Sequence, residues 1–534
     1  MPELKMKDVL LCSEHRDLYD ENNINSIFNY AATIEGKTLL DILVEAKKTE
    51  AEIEWIRNKE ADKGLPGKII EATFFGYELN SRQEADFDKV GVELKSTPAD
   101  MDRKSGRYQS GETISITQID FRNSVEKDFV KSHLYEKLRR LIVIFYYRDK
   151  NLQSRLDYKV FYASLFKPTE EDLEIIKGDY QQIITKIENG LADKLSRADG
   201  TYLSTAPKGK NKKNLIIPFY GGTPIVKRCF TFRKEYVNVI LSGYYKRTPK
   251  EERIISDVNE LKGRTFADVL ISRFSDYIGL DIWDIVGKLN AHAEQTYASP
   301  GFKQIPVDRK TKSTLPTIVA RLLGLKKLRA EELIKAGIVV KTVEFNKNGT
   351  NTQNFRLDDA DFDEICNCEE SIEIETDDEG NEVAVPVSSW ENSELYSILD
   401  GLRYLFVVFQ KDGKGNTCLK GVKLWAMSDE DIEIAHKDWD DIRKVLMAGV
   451  ELSVGKDGRT YNNFPGVAAS RMIHLRPHGN KAYYVDKNGK AWGNGKLSDS
   501  ERLPDGRRMT RQSYWLKNTY IKEVVKEFVS EKES

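Results

Sequence analysis

Cysteine is scarce in this chain, with five scattered over 534 residues. So sparse and odd a set makes a poor disulfide framework and points to a reducing cytoplasm. Cys366-Asn367-Cys368 is too close-set for a zinc knuckle, and His474 and His478 have no carboxylate or cysteine companion at metal-ligand spacing. Long apolar runs are missing as well. No stretch approaches the about 18 residues of a membrane span, and Met1-Pro2-Glu3-Leu4-Lys5 lacks the apolar core of a signal peptide, so no membrane partner is expected. Nor is there an excess of either charge: 83 Lys and Arg against 85 Asp and Glu leave −2, which taken alone argues against a nucleic-acid partner.

The balanced total hides segregation. Residues 358–382 run from Asp358 and Asp359 to Glu382 without one lysine or arginine. Residues 203–236 run the other way, with Lys208, Lys210, Lys212, Lys213, Lys227, Arg228, Arg233 and Lys234 against Glu235. The stretch from Arg471 to Lys522 is also mainly basic. Local field, not the sum, governs contact with DNA.

The length suggests two to four domains, and 40% hydrophobic content gives each an ordinary core. Residues 38–62 read as one long amphipathic helix, and Glu112–Thr117 alternates as a strand. Ser132 to Leu138 reads as a short helix leading into the apolar strand Leu141–Tyr146. Tyr158–Tyr162 is a further strand, and Thr169 caps a helix predicted to run to about Leu195. Polar, proline-punctuated residues 246–262 read as a linker between domains at 1–245 and 263–534.

Chemistry concentrates at 63–97. Pro66 and Gly67 sit where a helix starts, and Lys68-Ile69-Ile70-Glu71 continues it with Glu71 on board. Val90 to Ser96 alternates as a strand, which sets Glu93 and Lys95 on one face and Val92 and Leu94 on the other. Asp86 lies just ahead. Three carboxylates beside an ammonium make a hard-oxygen metal site suited to Mg²⁺-assisted attack of water on a phosphodiester.

Lys63-Gly64-x-x-Gly67-x-x-x-Glu71 followed by Asp86-x6-Glu93-x-Lys95 resembles the mismatch-repair nuclease MutH and its restriction-enzyme relatives, a branch of the PD-(D/E)xK nucleases. The resemblance implies that Glu71, Asp86 and Glu93 bind metal and that Lys95 is the catalytic lysine. It gives Lys63 the place of the family's lysine at the head of the glycine segment, and Lys137 that of a further active-site lysine. It also implies an α/β fold, a mixed sheet flanked by helices. The basic loop Thr205-Ala206-Pro207-Lys208 to Lys213 matches the family's base-reading loop, and Arg228 to Arg233 its last strand-to-helix segment. Ala206 and Thr231 depart from MutH, which has arginine and tyrosine there, so base identity and methylation sensing are not carried over.

The second half repeats the first weakly. Leu315 to Arg321 lies on Leu65 to Glu71, and Ala336 to Thr342 on Val90 to Ser96. In that register Glu71 becomes Arg321, Glu93 becomes Val339 and Lys63 becomes Ser313; Glu332 and Lys341 keep the character of Asp86 and Lys95. One acid beside an arginine holds Mg²⁺ poorly, so this copy is expected to be catalytically dead. Ile473 to Ala482 nevertheless matches the base-reading loop, with Arg476 present and His478 following, and Arg511 to Tyr520, including Lys517, matches the final segment. Arginine can bridge guanine O6 and N7 with two hydrogen bonds.

Two tandem MutH-like domains, one active and one degenerate, resemble the two-domain GATC-cutting restriction enzymes of the Sau-three-AI type. That family implies Mg²⁺-dependent double-strand cleavage at 5′-GATC-3′, with the second domain binding another site copy as effector. Expected partners are double-stranded DNA and a methyltransferase acting on the same site; the chain is expected to be a cytoplasmic monomer, with pairing on DNA left open. A strand-nicking repair nuclease and a non-catalytic DNA-binding protein are the alternatives.

Overall fold

In a computed structural model of the chain, the described residues are 5–79, 84–102, 105–149, 151–208, 215–246, 251–293, 314–351, 353–376, 382–477 and 479–530. They divide into two compact units. Unit 1 comprises Met1–Val269 with Arg329–Gly337 and Ile372–Pro386, and unit 2 comprises Leu270–Leu328, Ile338–Ser371 and Val387–Ser534. No helix among the described residues is long and apolar enough to cross a membrane.

The expected single helix over 38–62 is two helices, α1 (Leu39–Glu45) and α2 (Glu50–Arg57). Lys47 breaks the run with φ of 56°, and Thr38 with Asp41 and Thr49 with Glu52 each close a reciprocal capping box. Each new N-terminus is therefore satisfied by its own side chains. Leu39, Ile42, Leu43 and Ile56 go into the core of unit 1, where each buried Leu or Ile contributes about 1.5–3 kcal/mol.

α3 (Leu65–Lys68) runs straight into a π-helical stretch, Ile69–Phe74. Beyond it come β1 (Glu93–Met101), β2 (Tyr108–Ser110), β3 (Ile114–Gln118), α4 (His133–Leu138), β4 (Leu141–Tyr147) and β5 (Lys159–Phe166). The strand order is β2-β1-β4-β5, with β1 parallel to β4 and the other pairs antiparallel. Next are α5 (Glu170–Glu188), β6 (Leu203–Pro207), β7 (Arg228–Phe232) and α6 (Lys234–Ser242). The helix capped by Thr169 ends short of the predicted Leu195, because Gly190 turns the chain at φ of 71°. A second antiparallel sheet, β3-β7-β6, completes the plan, and Asp179 of α5 joins helix to sheet by accepting the N–H groups of Tyr202 and Leu203 at 2.8 and 3.1 Å.

Unit 2 repeats this plan. It contains α7 (Thr314–Leu322), β8 (Ile338–Phe345), β9 (Phe355–Asp359), α8 (Glu394–Gly401), β10 (Arg403–Lys411) and β11 (Thr417–Ala426). After these come α9 (Asp429–Ala448), β12 (Ile473–Pro477) and β13 (Gln512–Leu516). β8 is parallel to β10, which is antiparallel to β11; β13 lies between β9 and β12. Asp438 of α9 accepts from Met472 and Ile473 just as Asp179 does from Tyr202 and Leu203. Ser393 caps α8 as Ser132 caps α4. A weak sequence repeat thus encodes the order β1-β4-β5 again as β8-β10-β11, without a counterpart of β2 among the described residues, since sheet pairing and caps need few specific residues while the intervening surface is free to diverge.

Candidate active site

β1 begins where the chain can be brought to it closely. Gly91 turns at φ of 62°, and a side chain there would run into the Arg139 guanidinium. Phe87 and Val92 exchange backbone hydrogen bonds across this turn, which fixes Asp86 opposite the start of β1. Asp86 Oδ2 then accepts the Leu94 N–H at 2.9 Å, and the Asp86 N–H points to Glu93 Oε2 at 3.3 Å.

From the other side, α3 crosses β1 at Gly67. A Cβ on Gly67 would lie 2.9 Å from Ser96 Oγ, so the second glycine of the Lys-Gly-x-x-Gly segment is there to let helix and strand touch. The helix was expected from the sequence; its widening into a π turn around Glu71 was not. A π turn leaves main-chain carbonyls outside the regular ladder. Here Cys12 N–H takes the Ala72 carbonyl at 3.1 Å, Tyr30 Oη takes that of Phe74 at 2.7 Å and Tyr19 Oη that of Phe75 at 2.8 Å.

The side chains meet as the strand period requires. Glu93 is 1% exposed, and its Oε1 accepts from Lys95 Nζ at 2.7 Å and from Lys137 Nζ at 3.2 Å. Lys137 is brought in by α4, which Ser132 caps by accepting the Tyr135 N–H. Burial raises the Asp86 carboxyl above its usual range, and Glu93 pushes it further the same way. Burial likewise, with repulsion from Asp86, lifts Glu71 to about 7 against the pull of Lys95. For Lys95, burial works against the charged form, but Glu93 and Asp86 outweigh it and its pKa is raised. In the metal-free chain Lys95 is therefore held as an ammonium that donates to Glu93.

These four groups, Glu71, Asp86, Glu93 and Lys95, feel one another, with Lys137 as the fifth. Three carboxylates that repel one another present hard oxygens that a divalent cation would neutralise, so the donor set fits such an ion. Among the described residues no three acids, histidines or cysteines already converge as a ligand cluster; the inner oxygen of Glu93 is turned onto the two lysines. Lys63 is exposed on the turn ahead of α3. Burial pushes the thiol of Cys229 on β7 up, against the opposing charges of Lys208 and Lys95; nothing in the local sequence marks this neighbour of Lys95.

Several cations expected to face DNA are placed otherwise. Arg228 is buried, with its guanidinium on the Thr205 hydroxyl and carbonyl at 3.1 and 3.2 Å. Arg233, 6% exposed, donates to the carbonyls of Arg197, Asp199 and Gly200. Lys517 of unit 2 donates to the Ser470 carbonyl at 2.6 Å. These three act as internal ties: Arg233 and Lys517 satisfy loop carbonyls, and Arg228 holds Thr205 of strand β6. Lys208 is exposed and bonded to Gln118 Oε1 at 2.8 Å, Arg511 is exposed, and the exposed Arg476 lies 4.8 Å over the Trp515 ring. Lys210, Lys212 and His478 lie outside the described residues.

Gly337, the last residue of the Arg329–Gly337 segment counted with unit 1, turns at φ of 65° just ahead of β8 as Gly91 does ahead of β1, and in unit 2 the parallel pairing with β10 accommodates Val339 and Lys341 at the positions of Glu93 and Lys95. Arg321 donates to the Leu325 carbonyl at 2.6 Å. Glu332 does not take the part of Asp86. It lies on the helix Glu331–Ala336, counted with unit 1, and its carboxylate accepts the N–H groups of Ile254 and Ile255 at 3.0–3.2 Å. The position of Lys137 falls on Ile398, counted from the capping serines.

Residues 75–179 match the family model described as the DNA mismatch repair enzyme MutH. The MutH mismatch repair proteins of Vibrio campbellii and Salmonella typhi are 26% and 25% identical over 224 and 218 residues, which cover 94% and 89% of those proteins but 41% and 40% of this chain. The type II restriction enzyme Sau3AI of Staphylococcus aureus is 30% identical over 472 residues, 85% of this chain and 91% of that enzyme. With a likeness to Sau3AI over 85% of its length and a match to the MutH family model in the first unit, the chain belongs to the MutH-like type II restriction endonucleases.

Proposed function

We propose that the chain makes Mg²⁺-dependent double-strand breaks in DNA at 5′-GATC-3′, with unit 1 cutting and unit 2 binding a second copy of the site as effector. The observation that carries the catalytic part is the convergence of Lys95 and Lys137 on Glu93 Oε1 beside the coupled acids Asp86 and Glu71. Glu71, Asp86 and Glu93 hold the ion, which when bound lowers the pKa of water and offsets charge on the phosphate. Lys95, fixed as an ammonium, orients the attacking water and donates to developing negative charge. Water oxygen bonds to phosphorus as its proton passes to solvent, the P–O3′ bond breaks, and the 3′-oxygen takes a proton from solvent, which leaves a 5′-phosphate and a 3′-hydroxyl. Lys137 holds Glu93 in place from behind. Lys208, Lys210 and Lys212 in unit 1, and Arg476, His478 and Arg511 in unit 2, supply DNA contacts.

The effector role of unit 2 is supported by its repeated strand plan together with the loss of the acids from the positions of Glu71 and Glu93. A methyltransferase acting on the same site is the expected companion activity, and the protein works in the cytoplasm as a monomer before it meets DNA. The match of residues 75–179 to MutH favours strand nicking as the second reading. Incubation of the purified chain with a GATC-containing plasmid and Mg²⁺ separates the two. Linear fragments support the restriction reading; nicked circles with no linear product replace it with the second, and a gel shift alone removes both.

A further inference from the structure

The counterpart of the catalytic lysine in unit 2 has kept its place and lost its acids. Lys341 projects from β8 in the same register as Lys95 from β1, with its Nζ 5.4 Å from the ring centre of Phe355 and 5.2 Å from that of Tyr404. Phe355 comes from the β9-β13-β12 sheet and Tyr404 from the β8-β10-β11 sheet, so the ammonium sits where the two sheets of the unit meet. Burial lowers its pKa, and among the described residues no neighbouring charge opposes that. Two aromatic faces hold a cation by their quadrupoles but supply no counter-charge. A half-buried ammonium with no acid is costly unless an anion arrives.

The strand face beside Lys341 is also open to solvent. Val339, at the position of Glu93, is 48% exposed, whereas Glu93 is 1% exposed. A ligand can thus come down beside Lys341 where, in unit 1, two lysines and three acids fill the floor. The lost acids matter equally: with carboxylates beside it, as Lys95 has, a lysine is already neutralised and attracts phosphate only when a cation masks them.

We propose that Lys341 is a phosphate-binding residue, taking a backbone phosphate of double-stranded DNA onto the β8 face of unit 2 without a metal ion. This rests on the reading of unit 2 as a DNA-binding effector.

The test uses the full chain in EDTA with a short duplex carrying one GATC site. Acetylation of Lys341, followed by mass spectrometry, is expected to slow at least about fivefold when duplex is added. Titration of the wild type is expected to show two duplexes per chain. Lys341→Met should weaken one of these steps by about tenfold and reduce its salt slope by about one, while Lys341→Arg keeps both. Equal acetylation with and without duplex, or a Lys341→Met slope equal to wild type, overturns the proposal. Because labelling is done on the unaltered chain, a variant that misfolds does not decide the matter. A wild type that binds one duplex alone refutes the effector reading itself, and the role of Lys341 goes with it; two binding steps with unprotected Lys341 refute the role of Lys341 alone.

Discussion

Lys137 Nζ lies 3.2 Å from Glu93 Oε1, the oxygen that Lys95 Nζ also reaches. Lys137 is buried on α4 and Glu93 on β1, so their contact sets the depth of the site as well as its charge. Lys137→Met leaves Glu93 with one fewer donor and is expected to lower stability by about 1–3 kcal/mol. Single-turnover cleavage should fall by about 10²-fold, from a misplaced carboxylate, while duplex affinity measured in EDTA stays within about twofold. Unimpaired cutting would remove Lys137 from the site.

Glu71 gives the site a pH dependence. Its folded pKa of about 7 lies above the ordinary value of 4.5, so in the metal-free chain its ionised form subtracts stability above about pH 7, and that penalty fades as pH falls through 7 towards 4.5. Glu71→Gln should therefore melt higher than wild type in EDTA at about pH 8, by roughly 1–3 kcal/mol, and almost equally near pH 5. Protons and Mg²⁺ compete for the same oxygens, so stabilisation of the wild type by Mg²⁺ should grow as pH rises through about 7 and be largely lost in Glu71→Gln. Thermal melts with and without Mg²⁺ check both signs.

The crossing of α3 over β1 predicts a compensating pair. Gly67→Ala forces its new methyl against Ser96 Oγ and is expected to destabilise unit 1 by about 1–2 kcal/mol and slow cleavage. Ser96→Ala removes the obstructing oxygen, so the double variant should recover most of the loss; an additive double variant would mean that Gly67 is needed for some other reason.

Buried and exposed arginines should behave in opposite ways. Arg233→Met deprives the carbonyls of Arg197, Asp199 and Gly200 of a charged donor and is expected to cost about 1.5–3 kcal/mol of stability, with little change in the affinity of the molecules that fold. Arg476→Ala should leave melting unchanged within about 0.5 kcal/mol and weaken duplex binding. Melting and binding isotherms on both variants decide the matter.

The sequence disclosed the strand face of Glu93 and Lys95 because period-two alternation depends on immediate neighbours, but it began the strand at Val90, whereas Val90 and Gly91 form the turn and β1 starts at Glu93. It disclosed helix at Glu71 but not the π turn, because that turn relies on hydroxyls of Tyr19 and Tyr30, more than 40 positions away in the chain. The split of the 38–62 helix was in principle readable, since Thr49-x-x-Glu52 is a capping signal in the middle of the run. Arg228 and Arg233 misled because a count of basic residues cannot tell a surface cation from one that satisfies buried carbonyls; their apolar neighbours Phe230 and Phe232 were the available warning. Glu332 misled for a related reason: matching character at a matching position says nothing about which donors a folded chain brings to it.

The most direct measurement compares cleavage and binding for the wild type and Lys95→Ala on GATC-containing DNA with Mg²⁺, with sequencing of the product ends. The wild type should give linear fragments with 5′-phosphates cut at GATC, and Lys95→Ala should bind the same duplex yet leave it intact. Full cutting by Lys95→Ala, or wild-type ends that show no GATC, would contradict the account.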